Sequence, residues 1–100
     1  MGIGNSDIEK SLEELPDQIA SALEWWRKAT LDREKCEALL YLREKGLDKE
    51  RSATEIKALV HSDDLRYSRV LDEIKAEAEY NRLYESLMAA KKRADLRTAF

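Results

Sequence analysis

The residues of this 100-residue chain best suited to proton or metal chemistry are His61, Asp63 and Asp64. Helical metal sites pair ligands three or four positions apart, as in His-x-x-x-His or Glu-x-x-His, and no such pair is present. His61-Ser62-Asp63-Asp64 reads instead as the end of one helix and the capped start of the next. Cys36 lies near Arg33 and Lys35, cations of the kind that activate a thiolate. The one histidine is distant in sequence, so no Cys-His dyad is expected and Cys36 reads as a small apolar helix residue. Of the carboxylates Glu73, Glu77 and Glu79, the first two share a helix face and the last two do not. Without a partnering histidine they read as solvated surface. No catalytic residue, metal or cofactor is expected.

A basic group closes the chain. Lys91, Lys92, Arg93 and Arg97, with Arg82 upstream, have the charge to contact phosphates, and Tyr80 and Tyr84 have rings on which bases stack. Cations also favour the last turns of any helix through its dipole, and tyrosines four apart commonly pack on each other. Nucleic acid is therefore an alternative partner and not the favoured one. An acidic protein is a third.

These residues must be held by helices. Ala, Glu, Lys, Leu and Arg make up 57 of the 100 residues, above the roughly 50% that marks coiled coils and long helices. Gly and Pro are absent from 17–45 and from 47–100, which excludes a β-sandwich, a barrel or a Gly-looped nucleotide fold. The chain reads as one helical domain, 1–100. Gly2 and Gly4 loosen its start, and Ser6 caps a short helix or arm over 1–15 with Ile8, Leu12 and Leu15 on one face. Pro16 marks a break and opens a long helix over 16–46, closed by Gly46 as a C′ glycine. Ser52-Ala53-Thr54-Glu55 is a capping box for a short helix over 52–61. A last long helix fills 63–99.

Two long helices joined by a short helical corner predict an all-α antiparallel hairpin. On the first, Ile19, Leu23, Trp26, Thr30, Arg33, Glu37 and Leu40 follow alternating 4,3 spacing. Tyr67, Leu71, Ile74, Ala78, Asn81, Glu85 and Met88 do the same on the last helix, with Val70, Tyr84 and Leu87 beside them. Such a seam is polar in its middle and buries little, so assembly into an oligomeric helical bundle is expected. Trp25 supports this: it points about 100° away from Trp26, toward a face shared with Ala22, Ala29 and Cys36. Either a partner chain covers it or the N-terminal helix folds back over it. Asn81, if on the seam, would set register and oligomer state. Trp25, Ala22, Ala29 and Asn81 are thus the candidate oligomer interface.

Charge and cysteine usage bound the setting. The net charge is −3, with −3 on the first fifteen residues and +3 on the last twenty, so a phosphate-binding surface would be local. A lone thiol, no apolar leader and no run of about 18 apolar residues place the protein in the cytoplasm, away from membranes.

From Ala22 onward, three quarters of the chain resembles small helical proteins encoded by phages and prophages beside recombination or replication genes. The likeness rests on Ser52-Ala53-Thr54-Glu55-Ile56-Lys57, then Asp64 and Tyr67, then Ala76, Ala78, Tyr80 and Leu83, then Ala94-Asp95-Leu96-Arg97. It implies an accessory or scaffolding role near single-stranded DNA or a recombinase. The residues themselves predict a non-enzymatic, oligomeric, partner-binding helical protein.

Overall fold

The computed structural model describes residues 5–98, and their regular structure is entirely helical. Helix α1 spans Asn5–Leu47, α2 spans Ala53–His61 and α3 spans Asp64–Thr98. Gly2, Gly4 and residue 99 of the expected last helix lie outside the described residues. Among those described, no helix is long and apolar enough to cross a membrane. Contacts divide the chain into two compact units, one of Met1–Trp25 with Ala76–Phe100 and the other of Trp26–Lys75.

In the first unit, the break expected at Pro16 does not occur. Pro16 lies inside α1, which begins at Asn5, ahead of the expected Ser6 cap. A proline removes its own N–H bond and crowds the carbonyl four residues back. Pro16 is exposed, so that loss falls where water can meet the freed carbonyl of Leu12. Ile8, Leu12, Leu15, Ile19 and Ala22, meanwhile, keep one 4,3 phase through the proline, and all five are buried or half-buried. Packing of that stripe outweighs the local defect. The same continuity removes the fold-back explanation for Trp25, because residues 8–15 extend the very helix that carries it.

The buried side chains described in this unit are Ile8 and Ala22 on α1 and Ala76, Leu83, Leu87 and Ala90 on α3. Asn81, Glu85 and Met88, expected on the seam, are exposed. Tyr80 and Tyr84 stack with ring centroids 6.2 Å apart, the packing role that their spacing allows.

In the second unit, Ile56 and Val60 of α2 pack with Cys36 and Leu40 of α1, and Tyr41 lies against the cluster. The expected capping box is realised on its serine side: the Ser52 hydroxyl accepts the Glu55 amide at 3.2 Å. Helix α2 ends at Ser62, and the Asp63 carboxylate then accepts the Leu65 amide at 2.9 Å, so His61-Ser62-Asp63-Asp64 is the helix junction the sequence predicts. Gly46 is not a C′ glycine. It stays helical with no positive φ, and α1 ends one residue later. Polar groups close the turn instead: the Glu50 amide donates to the Asp48 carboxylate at 3.0 Å, and the Lys45 ammonium donates to the carbonyls of Lys49 and Arg51 at 3.1 and 3.2 Å.

The seam expected on α3 is rotated in this unit as well. Tyr67, Leu71 and Ile74 are exposed, Tyr67 at 63% and Ile74 at 54%, while Arg66, Val70 and Glu73 turn inward. On α1 the deepest row is Ala29, Cys36 and Leu40, with Thr30, Arg33 and Glu37 half-buried beside it. The polar residues choose the register. Arg33 donates to Glu73, and Glu37 accepts from Arg66 one turn further along α1, which also makes the two helices antiparallel here. Turning Ile74 into the place of Glu73 would leave a half-buried guanidinium facing an alkyl chain.

Candidate functional site

Two charged constellations organise the second unit. In the first, the Arg33 guanidinium bridges Glu73 on α3 and Glu37 on its own helix, the latter at 3.0 Å. Glu37 takes a second bond from Arg66 at 3.2 Å. The hydrogen bonds that Arg33 donates to Glu73 and then to Glu37 raise its pKa above the ordinary value. Burial pushes the Glu37 carboxyl up, but the bonds from Arg33 and Arg66 outweigh it and leave it below the ordinary glutamate range. Each carboxylate is occupied by a guanidinium, so the arrangement is a structural strut and not an acid–base pair.

The second constellation ties the end of α1 to the two connectors that flank α2. Arg43 donates to Glu44 at 2.9 Å and to Asp63 at 3.0 Å, and Arg51 donates to the other oxygen of Glu44. Arg43 holds the carboxyls of Glu44 and Asp63 below their ordinary values, helped at Asp63 by the amide of Leu65.

Depressed carboxyls stabilise the fold above their ordinary pKa, and that contribution is lost as pH falls through the lower folded values. The urea midpoint should stay flat from pH 7 down to about 5 and then fall below the ordinary glutamate value of 4.5. A midpoint that rose on acidification would contradict this assignment.

The sequence candidates are dispersed. Cys36 is buried in the α1–α2 cluster, His61 is exposed at the end of α2, and Glu73 turns inward while Glu77 is exposed. No group of three His, Cys, Asp or Glu side chains able to hold a metal occurs among the described residues. Ala22 and Ala29 are buried, at 5% and 6% exposure, and Ala22 also lines the groove beside Trp25. Trp25 and Asn81 are exposed. Trp25 lines an open groove of about 690 Å³ with Asp17, Gln18, Ser21, Glu79 and Leu83. Arg82 is exposed and pairs with Glu79 on its own helix through two bonds, of 2.6 and 3.0 Å.

Lys91, Lys92, Arg93 and Arg97 are all exposed. Successive helical positions turn by about 100°, so the first three point in different directions and only Arg93 and Arg97 share a side. This geometry does not form one phosphate-tracking row.

No family model, characterised protein or solved structure matches this chain. Its function must therefore be argued from its own surfaces. The side chains that sequence reasoning missed are apolar: Leu31, Leu39, Leu42 and Leu65 are between 52% and 67% exposed in the second unit. Their signal was present as leucines falling outside the 4,3 seam of their helices, three of them within twelve residues of α1.

Proposed function

We propose that this protein is a non-enzymatic helical assembly protein, which self-associates and binds protein partners through the outer faces of its helices. The observation that carries the reading is the exposed stripe of Tyr67, Leu71 and Ile74 on α3. Large apolar side chains that recur along one helix side, outside the intrachain seam, are what a further helix covers. Trp25, exposed on α1, adds an aromatic of the kind enriched at interfaces. The resemblance to phage-encoded accessory proteins agrees with a scaffolding role in recombination or replication and with action in the cytoplasm.

Light scattering coupled to gel filtration tests this. At tens of micromolar the mass should be a multiple of the 11.6 kDa chain. Tyr67→Glu with Ile74→Glu, both on exposed positions, should return it to the mass of one chain with its helix content intact. A wild-type monomer under these conditions removes the self-association reading.

A further inference from the structure

A groove on the opposite side of the α1–α3 seam from Tyr67 has a different character. Within the second unit it encloses about 390 Å³ over the buried Cys36 and Leu40, with the exposed Leu39 and Leu65 as its apolar walls. Lys28 and Lys35 on α1 and Arg69 on α3 complete the lining, with Asp32 as its one acid. Elsewhere in this unit Arg33, Arg43, Arg51 and Arg66 each hold a carboxylate, while Arg27, Lys49, Lys57 and Lys75 have no ion pair among the described residues but do not line the groove. Among the described residues, Lys28, Lys35 and Arg69 have no ion pair. The groove gathers free cations around uncovered leucines.

We propose that this groove seats an amphipathic helix of an acidic partner protein, its apolar ridge on Leu39 and Leu65 and its carboxylates on Lys28, Lys35 and Arg69. The inference deepens the reading that the outer helix faces bind partners, and rests on it. Three features select the occupant. From Lys28 to Leu39 the groove follows α1 for about 16 Å, or three helical turns, long enough for ridge residues at i, i+3 or i+4, and i+7. Cations stand on both bordering helices, matching acidic flanks on either side of an apolar ridge. A second copy docked face to face would bring two net-cationic grooves together, which like-charge repulsion opposes. An anionic lipid surface fits less well, since the floor is concave and the chain carries a net charge of −3.

The test uses the full chain and two dye-labelled 18-residue peptides with leucines at i, i+3, i+7, i+10 and i+14. One carries Glu at the flanking positions and the other carries Lys. Fluorescence anisotropy should show saturable binding of the Glu peptide, about tenfold tighter than the Lys peptide and weakening as salt rises from about 50 to 300 mM. Lys28→Glu, Lys35→Glu and Arg69→Glu together, on positions without ion pairs, should invert the preference between the peptides. Leu39→Ser should weaken the Glu peptide while leaving helix content unchanged.

Equal binding of the two peptides, no saturation by about 100 μM, or a triple variant that keeps the wild-type preference overturns the proposal. So does binding to vesicles of phosphatidylcholine and phosphatidylglycerol in place of the peptide. A chain that oligomerises in light scattering but ignores the Glu peptide sinks this inference alone. A monomer that binds the peptide keeps the groove and sinks self-association.

Discussion

Ile56→Ala should destabilise the protein by about 3 kcal/mol, within the range for emptying a buried isoleucine site. Ile56 has no exposed surface, and it closes the cluster of Cys36, Leu40 and Val60. Helix α2 has only nine residues, too few to persist in water without tertiary support, and Ile56 and Val60 are its buried residues. Removing three carbons from Ile56 costs their transfer from water and leaves a cavity that α2 cannot fill without sliding off its cap. Thermal unfolding followed by circular dichroism should show a midpoint lower by roughly 12–24 °C, given about 4–8 °C per kcal/mol at this chain length. Leu59→Ala is the internal control. Leu59 sits on the same short helix but is 39% exposed, so its truncation should shift the midpoint by less than half as much. Equal shifts for the two variants would show that helix propensity, and not the cluster, governs α2.

Arg33→Ala should cost about 2 kcal/mol, mostly because Glu73 is then left half-buried without its guanidinium. The instructive result is the double variant. With Arg33→Leu and Glu73→Leu together, the desolvation of both charges disappears and apolar contact replaces it, so stability should recover to wild type or above. Each single leucine variant should be less stable than the double. Urea midpoints of the four proteins form a double-mutant cycle, and a strictly additive cycle would mean that the pair interacts too weakly to set the register. The Arg33 variants also lose the bond to Glu37, which keeps Arg66 throughout, and the cycle separates that loss from the coupling of Arg33 to Glu73.

The cycle matters because α3 carries more than one apolar stripe. Tyr67, Leu71 and Ile74 satisfy the spacing rule for a buried seam as well as Ala76, Leu83, Leu87 and Ala90 do. Counting apolar residues cannot choose between them, and the larger side chains point to the wrong one. Arg33 and Glu37 decide, since a guanidinium and a carboxylate entering a half-buried interface need opposite charges at the matching levels, and Glu73 and Arg66 stand there. Small residues then fit: Ala29 and Cys36 on α1 fill the deepest row of the second unit. The stripe with the larger side chains was left for solvent or a partner. The Pro16 error has the same origin, because a local breaker was weighed without the nonlocal stripe that overrides it.

For the candidate surfaces, sequence reasoning found Trp25 and the basic tail and missed Leu39 and Leu65. Charge count alone makes Arg82 a phosphate ligand; only its two bonds to Glu79 show that charge to be engaged. Lys28 and Arg69 carry no signal in sequence and Lys35 stands out there only as a neighbour of Cys36; pairing of the helices puts the three around one groove.

The sequence by itself determined the all-helical character and the junctions at Ser52 and Asp63. Those features depend on backbone propensity and on hydrogen bonds spanning two or three residues, which a linear reading contains. Only the tertiary structure decided which side of α3 is buried, that α1 continues through Pro16, and which cations remain unpaired. Each of these turns on packing between helices: half-buried ion pairs choose the buried side of α3, and the apolar stripe through Ile8, Leu12, Leu15, Ile19 and Ala22 carries α1 past Pro16.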